Sequence, residues 1–426
     1  MPINAQLRLR GALWGLMSLL LTGCTTFNSD PQASDSTATE PQSEPLQPTT
    51  TLPVLQRWVR QIGEGSGGLH LHLSPVLLWD QLIATSRDGA MIALAPKTGE
   101  ILWQRRLTES LYSGVVGVLN GEQKLLLVAA ESSVIALDAV TGQQLWQQPL
   151  SSESGAAPVV VGDRVLQRSV DGHLAAFHLT TGKLLWQYQW SVSLLTLRGS
   201  VAPVVAQKMV LIGTGDGRLI AVDLQRGEEL WILPVAEARG RSELERLVDI
   251  NTEPLVVGDW IYVSPHQRGI SSYNLNSGRQ LWHREISGDR GATIDADKRL
   301  YLSDAAGLLW SLAASNGDTY WKQDALKSRH LTAPVLQGEY LLVGDDLGRL
   351  HWLLRRSGQL VATMQVASFT EWFPRHSSYQ GYSAHVRQSR ALIAPPLVDG
   401  HWVYAMDQRG VLAAYELINA ADTQGQ

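Results

Sequence analysis

A few residues of this chain have types and spacings that could support chemistry. His70 and His72 would place two imidazoles on one face of a strand, where they could bind a metal ion, but no Cys or carboxylate stands at a companion spacing. Surface histidines are the more common explanation. The Gly-rich runs at residues 63–68 and 213–217 lack a Gly-Lys-Ser/Thr ending and open no helical pattern, which indicates turns and not phosphate-binding loops. No Gly-x-Ser-x-Gly or His-Glu-x-x-His pattern occurs either, so the residues predict no catalytic or metal site.

The only cysteine, Cys24, ends a segment at the start of the chain that differs from the rest. Two arginines precede an uncharged apolar run, residues 11–21, which has the length of a signal-peptide core and is short for a membrane span. The sequence Leu21-Thr22-Gly23-Cys24 resembles the lipobox of bacterial lipoproteins, in which cleavage leaves the cysteine first and lipid is attached to it. We therefore predict a signal peptide over residues 1–23 and lipidation of Cys24. An uncleaved signal anchor with an incidental cysteine is the alternative.

The residues that follow the cysteine bear on location and domain organisation. Thr25 stands where lipoproteins retained in the inner membrane commonly have Asp, so the resemblance implies an outer-membrane anchor that faces the periplasm. Residues 24–53 have little apolar content and predict a disordered tether. Residues 54–418 then form the folded domain, and residues 419–426 a flexible tail. A net charge of −5 gives no electrostatic case for nucleic-acid binding.

An internal repeat decides the fold class. A Gly followed four residues later by Trp recurs at intervals of 39 to 51 residues, the length of one four-stranded propeller blade. A small residue and Pro, which open a strand, precede most copies by about half a period, and turns containing Gly separate the other strands. The sequence therefore predicts an all-β fold, a β-propeller whose blades are joined by docked tryptophans. The tryptophans of this pattern are Trp103, Trp146, Trp186, Trp231, Trp282 and Trp321.

The strand count predicts eight blades and a closed ring. Sets of strands begin near residues 74, 114, 157, 202, 253, 290, 333 and 394, but only seven fourth strands follow residue 98. The missing fourth strand should be residues 54–62, which carry Trp58 and would pair with the C-terminal strand at residues 411–417. A ring closed by the two ends of the chain leaves only short, protected edges. The seventh repeat has Ala362 in place of Trp, so its contact should be thinner or filled by another side chain.

The segment from Ala136 to Trp146 matches the tryptophan-docking motif of quinoprotein dehydrogenases, which makes a PQQ-type dehydrogenase the enzymatic alternative. In those enzymes a vicinal disulfide stacks on the quinone, and a Glu/Asn/Asp set holds calcium. A chain with one cysteine cannot form that disulfide, and no convincing calcium set is found. We therefore predict a binding scaffold without a cofactor, not an enzyme.

Two departures from the repeat are candidate functional surfaces, because regular blades need only their packing residues. The first consists of residues 194–203 and 236–251, which follow successive blades and should lie side by side on one face. In the second stretch, a capping-box pattern that starts at Ser242 predicts a short helix ending near Asp249. The second departure is the insertion at residues 367–392, with Trp372 and Phe373 among its aromatic residues. It would be a second contact surface for a partner or client, or would merely cover the last blades.

Residues 197–203 and 238–254 resemble the family of the outer-membrane protein assembly factor BamB. Together with the lipobox and the eight blades, the similarity covers nearly the whole mature chain. The resemblance implies a lipoprotein subunit of the β-barrel assembly machinery. Such a subunit binds the periplasmic POTRA domains of the BamA barrel and assists the assembly and insertion of outer-membrane proteins.

The BamA-contacting residues of the family carry over to Leu195, Leu197, Arg198 and Asp249, whereas the second acid of the family is Asn251 here, so a charge contact at that position is in doubt. Exposed leucines beside an arginine suit an interface, since they combine aliphatic burial with a fork of donors. The alternative is that the leucines belong to a strand's core face and that Arg198 pairs with Asp249 inside the propeller. A different class of function is a periplasmic chaperone that holds unfolded clients along exposed blade edges by β-augmentation.

Overall fold

The computed structural model describes residues 52–192, 201–238, 241–242, 246–288, 290–366 and 390–418, all within one compact unit, Leu46–Gln426. Within these residues the chain forms 32 β-strands and no helix. The strands make eight four-stranded antiparallel sheets, and each sheet is one blade of the propeller. The predicted fold class and blade number are therefore confirmed.

Each blade takes its four strands in chain order, with one exception at the ring closure. Blades 1 to 4 consist of β2 Val76–Leu78, β3 Gln81–Thr85, β4 Ala90–Leu94 and β5 Ile101–Arg106; β6 Val116–Asn120, β7 Gln123–Ala129, β8 Ser133–Asp138 and β9 Gln144–Pro149; β10 Val159–Val161, β11 Arg164–Ser169, β12 His173–His178 and β13 Leu184–Gln189; β14 Val204–Ala206, β15 Met209–Gly213, β16 Arg218–Asp223 and β17 Glu229–Pro234.

Blades 5 to 8 continue the same order around the ring. They consist of β18 Leu255–Val257, β19 Trp260–Val263, β20 Ile270–Asn274 and β21 Gln280–Arg284; β22 Ala292–Ile294, β23 Arg299–Ser303, β24 Leu309–Ala313 and β25 Thr319–Gln323; β26 Val335–Gln337, β27 Tyr340–Gly344, β28 Arg349–Leu354 and β29 Leu360–Gln365; β30 Leu397–Asp399, β31 Trp402–Met406 and β32 Val411–Leu417 with β1 Val54–Gln61 as fourth strand.

Burial changes regularly across each blade. In blade 1 the first strand, β2, is half-buried, β3 and β4 are almost wholly buried, and β5 is exposed along nearly all of its length. First strands of neighbouring blades contact each other between β6 and β10 and between β26 and β30. The first strands therefore surround the axis of the ring and the fourth strands form its rim. The core consists of the second and third strands of adjacent blades, which bury their Leu, Ile and Val side chains against each other.

The ring closes as predicted by pairing of the two terminal strands. β1 is antiparallel to β32, with Val54 opposite Leu417 and Gln61 opposite Val411. Val59 is fully buried in this sheet. The N-terminal strand therefore completes blade 8 by antiparallel pairing, the same pairing that joins the strands of the other blades.

Five tryptophans of the fourth strands dock on the following blade. Each indole N–H donates to a backbone carbonyl of that blade, at 2.8 to 3.1 Å, and each ring covers a glycine whose φ is positive. A Cβ at Gly182, for example, would lie 2.8 Å from the ring of Trp146, so only glycine admits the indole at this distance. The docked residues are Trp58, Trp146, Trp186, Trp282 and Trp321.

Trp103 differs from the prediction, and Trp231 lacks the docked geometry. The indole of Trp103 donates to Gln81 of its own blade, at 3.2 Å. At Gly142, where Trp103 should dock, the atom nearest to an added Cβ is Nε of Arg105. At Gly278, where Trp231 should dock, it is a methyl carbon of Leu233. In both blades the competing side chain lies two residues after the Trp, on the same face of the strand. A neighbour on the same strand therefore takes the place of the ring.

Blade 7 carries its tryptophan on the other strand. In the other seven blades a small residue, Ala or Ser, stands opposite the Trp of the fourth strand. In blade 7 Trp352 of the third strand stands opposite Ala362. The Trp352 ring is fully buried, and its indole N–H donates to Gln337 at 2.9 Å. The missing volume at Ala362 is thus restored from the neighbouring strand, which was one of the two outcomes expected.

Candidate partner-binding surface

One end of the ring collects the irregular segments of the chain. In every blade the turn between the second and third strands lies at the same end as the segment that leads from the fourth strand to the next blade, because consecutive strands alternate in direction. We call this end the loop face. It includes the described residues of both stretches of the first predicted surface and the two described ends of the insertion.

The structure places the predicted contact residues unequally. Leu195, Leu197 and Arg198 lie outside the described residues, as does any pairing of Arg198 with Asp249. The residues that flank this stretch are Trp190, which is buried, and Val201, which is half-buried. Both are at the loop face, at the junction of blades 3 and 4. The prediction for the three residues between them stays a prediction.

Asp249 and Asn251 lie at the next junction, between blades 4 and 5. The Asp249 side chain is buried, with 3% of its surface exposed, and Asn251 is half-buried. The Ile250 N–H donates to the carbonyl of Thr214 in blade 4, at 3.1 Å. A Cβ at Gly213 would lie 2.5 Å from the Ile250 side chain, so the absence of a side chain there lets this segment pack against blade 4.

The helix predicted to end near Asp249 is not formed in its described part. Residues 243–245 lie outside the described residues, and residues 246–250 form a turn followed by irregular chain. Four consecutive side chains, from Leu247 to Ile250, are buried. A helix on the surface buries one face only, so this burial requires a different path. The prediction is wrong here because the blade beneath, not the capping box, fixes the chain.

Arg168 joins the two stretches, and sequence reasoning missed it. Its guanidinium donates to the carbonyl of Gly213 at 2.9 Å and to that of Val201 at 3.4 Å, and it lies 5.1 Å from the ring centroid of Trp190. Desolvation lowers the pKa of Arg168 to about 10, and the nearby charge of Asp249 opposes that shift. The side chain therefore remains a cation at neutral pH. It contacts the junction of blades 3 and 4 directly and reaches the junction of blades 4 and 5 through Gly213, which packs against Ile250.

The second predicted surface is known only at its two ends. Trp372 and Phe373 lie outside the described residues. The Val366 N–H donates to the carbonyl of Gly348 at 2.8 Å, and the Leu392 N–H donates to the carbonyl of Asp345 at 3.0 Å. Both ends of the insertion are therefore attached to one turn of blade 7, between β27 and β28.

A buried polar network holds that turn. Asp345 accepts hydrogen bonds from Arg329 at 2.9 Å and from His351 at 3.0 Å, and the other ring nitrogen of His351 is 3.0 Å from the hydroxyl of Thr363. Desolvation opposes the charge of Asp345, but the bond to His351, the Arg349 amide and the Arg329 cation outweigh it, so the pKa of this carboxyl lies below its usual value. Desolvation also lowers the pKa of His351, against the attraction of Asp345.

The lowered pKa of His351 predicts acid sensitivity. The unfolded chain takes up this proton below about pH 6.5, whereas folded His351 does so only at lower pH, so stability falls as the pH drops through that interval. Replacing His351 with Gln should make the decline between pH 6.5 and pH 5 shallower, by about 1 kcal/mol, in urea unfolding at a series of pH values. His330→Gln, which removes an exposed histidine near the same turn, is the control for loss of a histidine as such. Equal slopes for wild type and His351→Gln would contradict this assignment.

The histidine pair at the start of the chain lies beside blade 1. Both His70 and His72 are exposed. In the part of the chain that the structure describes, no group of three or more His, Cys, Asp or Glu side chains could hold a metal ion. The same part contains no helix long and apolar enough to span a membrane.

Blades with this tryptophan docking define a class of protein, the eight-bladed propellers with PQQ-like repeats. A quinohemoprotein alcohol dehydrogenase from Comamonas testosteroni is similar in fold, with a TM-score of 0.65 at 12% identity, over 85% of this chain and 76% of that one. At this identity the likeness extends to the fold alone.

More similar proteins identify the family. The model of the family described as outer membrane protein assembly factor BamB matches residues 87–323. The assembly factor BamB of Yersinia pestis is 33% identical over 85% of this chain and 93% of its own length, and that of Marinobacter adhaerens is 37% identical over 83% and 87%. The crystal structure of BamB from Moraxella catarrhalis has a TM-score of 0.71 at 26% identity, over 85% of this chain and 100% of that one. The chain belongs to the BamB family, and these relatives are named as assembly factors, not as enzymes.

Proposed function

We propose that this protein is a non-enzymatic scaffold lipoprotein of the outer-membrane β-barrel assembly machinery. It binds the POTRA domains of BamA through the loop face and assists the assembly and insertion of outer-membrane β-barrel proteins. Lipid on Cys24 anchors it in the outer membrane, facing the periplasm, and residues 24–53 act as its tether. Membership of a family named for outer-membrane protein assembly supports this function.

The observation that carries the proposal is the convergence of two irregular segments at neighbouring junctions of one face. Arg168 contacts Trp190 and Val201, which lie on either side of the stretch with Leu195, Leu197 and Arg198. It also contacts Gly213, against which Ile250 of the Asp249 segment packs. Regular blades do not need such segments for packing. Burial of Asp249 favours a role in shaping this surface. Asn251 is half-buried, and its partial exposure supports a role in contact with a partner.

Capture on immobilised POTRA repeats of BamA tests the proposal. We expect the wild-type domain, residues 52–418, to be retained, and Arg198→Glu to lose at least tenfold in affinity because its cation would become an anion at the interface. Asn251→Asp restores the acid of the family and should bind at least as well as wild type. Arg106→Glu is the matched control, since Arg106 is an exposed arginine near the loop face of blade 1. Circular dichroism and melting should be the same for all four proteins.

Other results would change the proposal in defined ways. Undiminished capture of Arg198→Glu would show that the site is wrong and would direct attention to Trp372 and Phe373. If wild type itself were not captured, the assembly function would lose its support. Such a result would favour the second candidate function.

That second candidate is a chaperone that holds unfolded clients by β-augmentation. The observation in its favour is that fourth strands present large apolar side chains at an unpaired sheet edge, with Ile101, Leu102, Leu184 and Leu185 between 40% and 49% exposed. Edges of this kind accept a further strand. A chaperone should bind extended client peptides more tightly than folded POTRA repeats, whereas a scaffold should show the opposite order.

A further inference from the structure

Arg168 occupies a position of the repeat where the other blades have small or uncharged residues. In blade 3, Ala176 of the third strand stands opposite Trp186, and Leu174 lies two residues before Ala176. Arg168 is the residue of the second strand opposite Leu174. In the other blades with this pairing the corresponding third-strand residue is Val, Leu or Met. The residues of these blades at the position of Arg168 are Thr85, Ala129, Gly213, Ser303, Gly344 and Met406. A cation at this position is therefore specific to blade 3 among them.

The position already has a role in joining blades. Thr85 donates to the carbonyl of Ser113 at 3.1 Å, and Ser303 donates to that of Thr332 at 2.8 Å; both acceptors lie just before the first strand of the next blade. Arg168 donates to the corresponding carbonyl, that of Val201. Its longer side chain also reaches Gly213 of blade 4 and the ring of Trp190. Thr85 and Ser303 thus each make one hydrogen bond to the segment before the next blade, whereas Arg168 makes several contacts.

These contacts extend to the segment before blade 5. Gly213, whose carbonyl accepts from Arg168, packs directly against Ile250, and Ile250 is bonded to Thr214. Asp249 precedes Ile250 and lies near enough for its charge to act on Arg168. A desolvated guanidinium needs several acceptors and a nearby anion. Here the carbonyls of Val201 and Gly213 are the acceptors, and Asp249 of the segment before blade 5 is the anion.

We propose that Arg168 is a positioning residue that holds residues 201–203, before blade 4, and Asp249 and Ile250, before blade 5, in one fixed arrangement beside the proposed partner-binding surface. This inference rests on the proposed function for the identity of the partner, BamA POTRA repeats. The arrangement itself is a property of the free protein. The two parts can therefore be tested separately.

The test compares Arg168→Met and Arg168→Lys with wild type in the full mature chain. In the free protein, amide hydrogen exchange at Ile250 and at Val201, Ala202 and Val204 should accelerate at least tenfold in Arg168→Met, because the side chain that joins them is gone. Affinity for POTRA repeats should fall at least tenfold. Arg168→Lys keeps the charge without the planar fork of donors, so it should recover part of both losses.

Arg329→Met is the matched control. Arg329 is a buried arginine near the loop face with an aspartate, Asp345, as its ion-pair partner, but it lies near blade 7. Its replacement should lower the melting temperature without accelerating exchange at Ile250 or weakening capture. A merely structural role for Arg168 would give the pattern of this control.

Each result decides one part. Unchanged exchange at Ile250 in Arg168→Met would overturn the positioning role whether or not a partner binds. Accelerated exchange with affinity within twofold of wild type would overturn the link to partner binding and leave the proposed function standing. Failure of wild type to bind POTRA repeats would refute the proposed function, while the exchange measurement would still decide whether Arg168 joins the blades.

Discussion

A chain that begins at residue 63, and so lacks β1, is expected to lose its cooperative unfolding transition and to aggregate. This truncation deletes the buried side chains of Trp58, Val59 and Ile62 and the bond from the Trp58 indole to Pro96. Each such side chain contributes about 1.5–3 kcal/mol or more by burial, and domains have only about 5–15 kcal/mol in total. The edge of β32 would also be left unpaired, which invites pairing with another chain.

Size-exclusion chromatography and urea unfolding measure this effect. The control is a chain that begins at residue 52, which keeps β1 and all of its pairing with β32. It should remain monomeric with a single steep transition. Equal transition midpoints for the two truncated chains would mean that the terminal pairing does not hold the ring closed.

The blade boundaries and the ring closure could be predicted because each depends on a pattern that is local in the sequence. The Gly-to-Trp spacing marks the fourth strand of a blade. Once the strands are counted, the strand with Trp58 can only be the missing fourth strand of the last blade. β1 and β32 indeed pair along their length. Repeats of this kind are read reliably because each unit packs mainly on its neighbours.

Contacts between blades could not be predicted in the same way, because they depend on competition between side chains. Trp103 and Trp186 have the same local pattern, yet Arg105 occupies the site on Gly142 whereas Trp186 reaches Gly227. In blade 7 the sequence shows the missing Trp at Ala362 but not that Trp352 faces it from the next strand. Only the strand register supplies that information.

The candidate site shows the same division. The irregular stretches were found because they interrupt the repeat, but the burial of Asp249 depends on the blade beneath it. Arg168 could have been found by aligning the second strands of the blades, where a cation replaces small or uncharged residues. That alignment requires the register of each hairpin, because a shift of one residue would move Arg168 to the other face of the strand.

The difference between docked and undocked tryptophans leads to a second large effect. Trp186→Ala should destabilise the propeller by about 3–5 kcal/mol, because it removes a buried ring and the indole bond to Leu224 and leaves a cavity over Gly227. Trp103→Ala should cost about 1 kcal/mol, because its ring is only half-buried and bonds within its own blade. Urea unfolding of the two variants gives both values. Equal losses of unfolding free energy in the two variants would contradict this prediction. They would mean that these tryptophans stabilise the propeller only through the hydrophobic surface of the fourth strand and not through docking on the next blade.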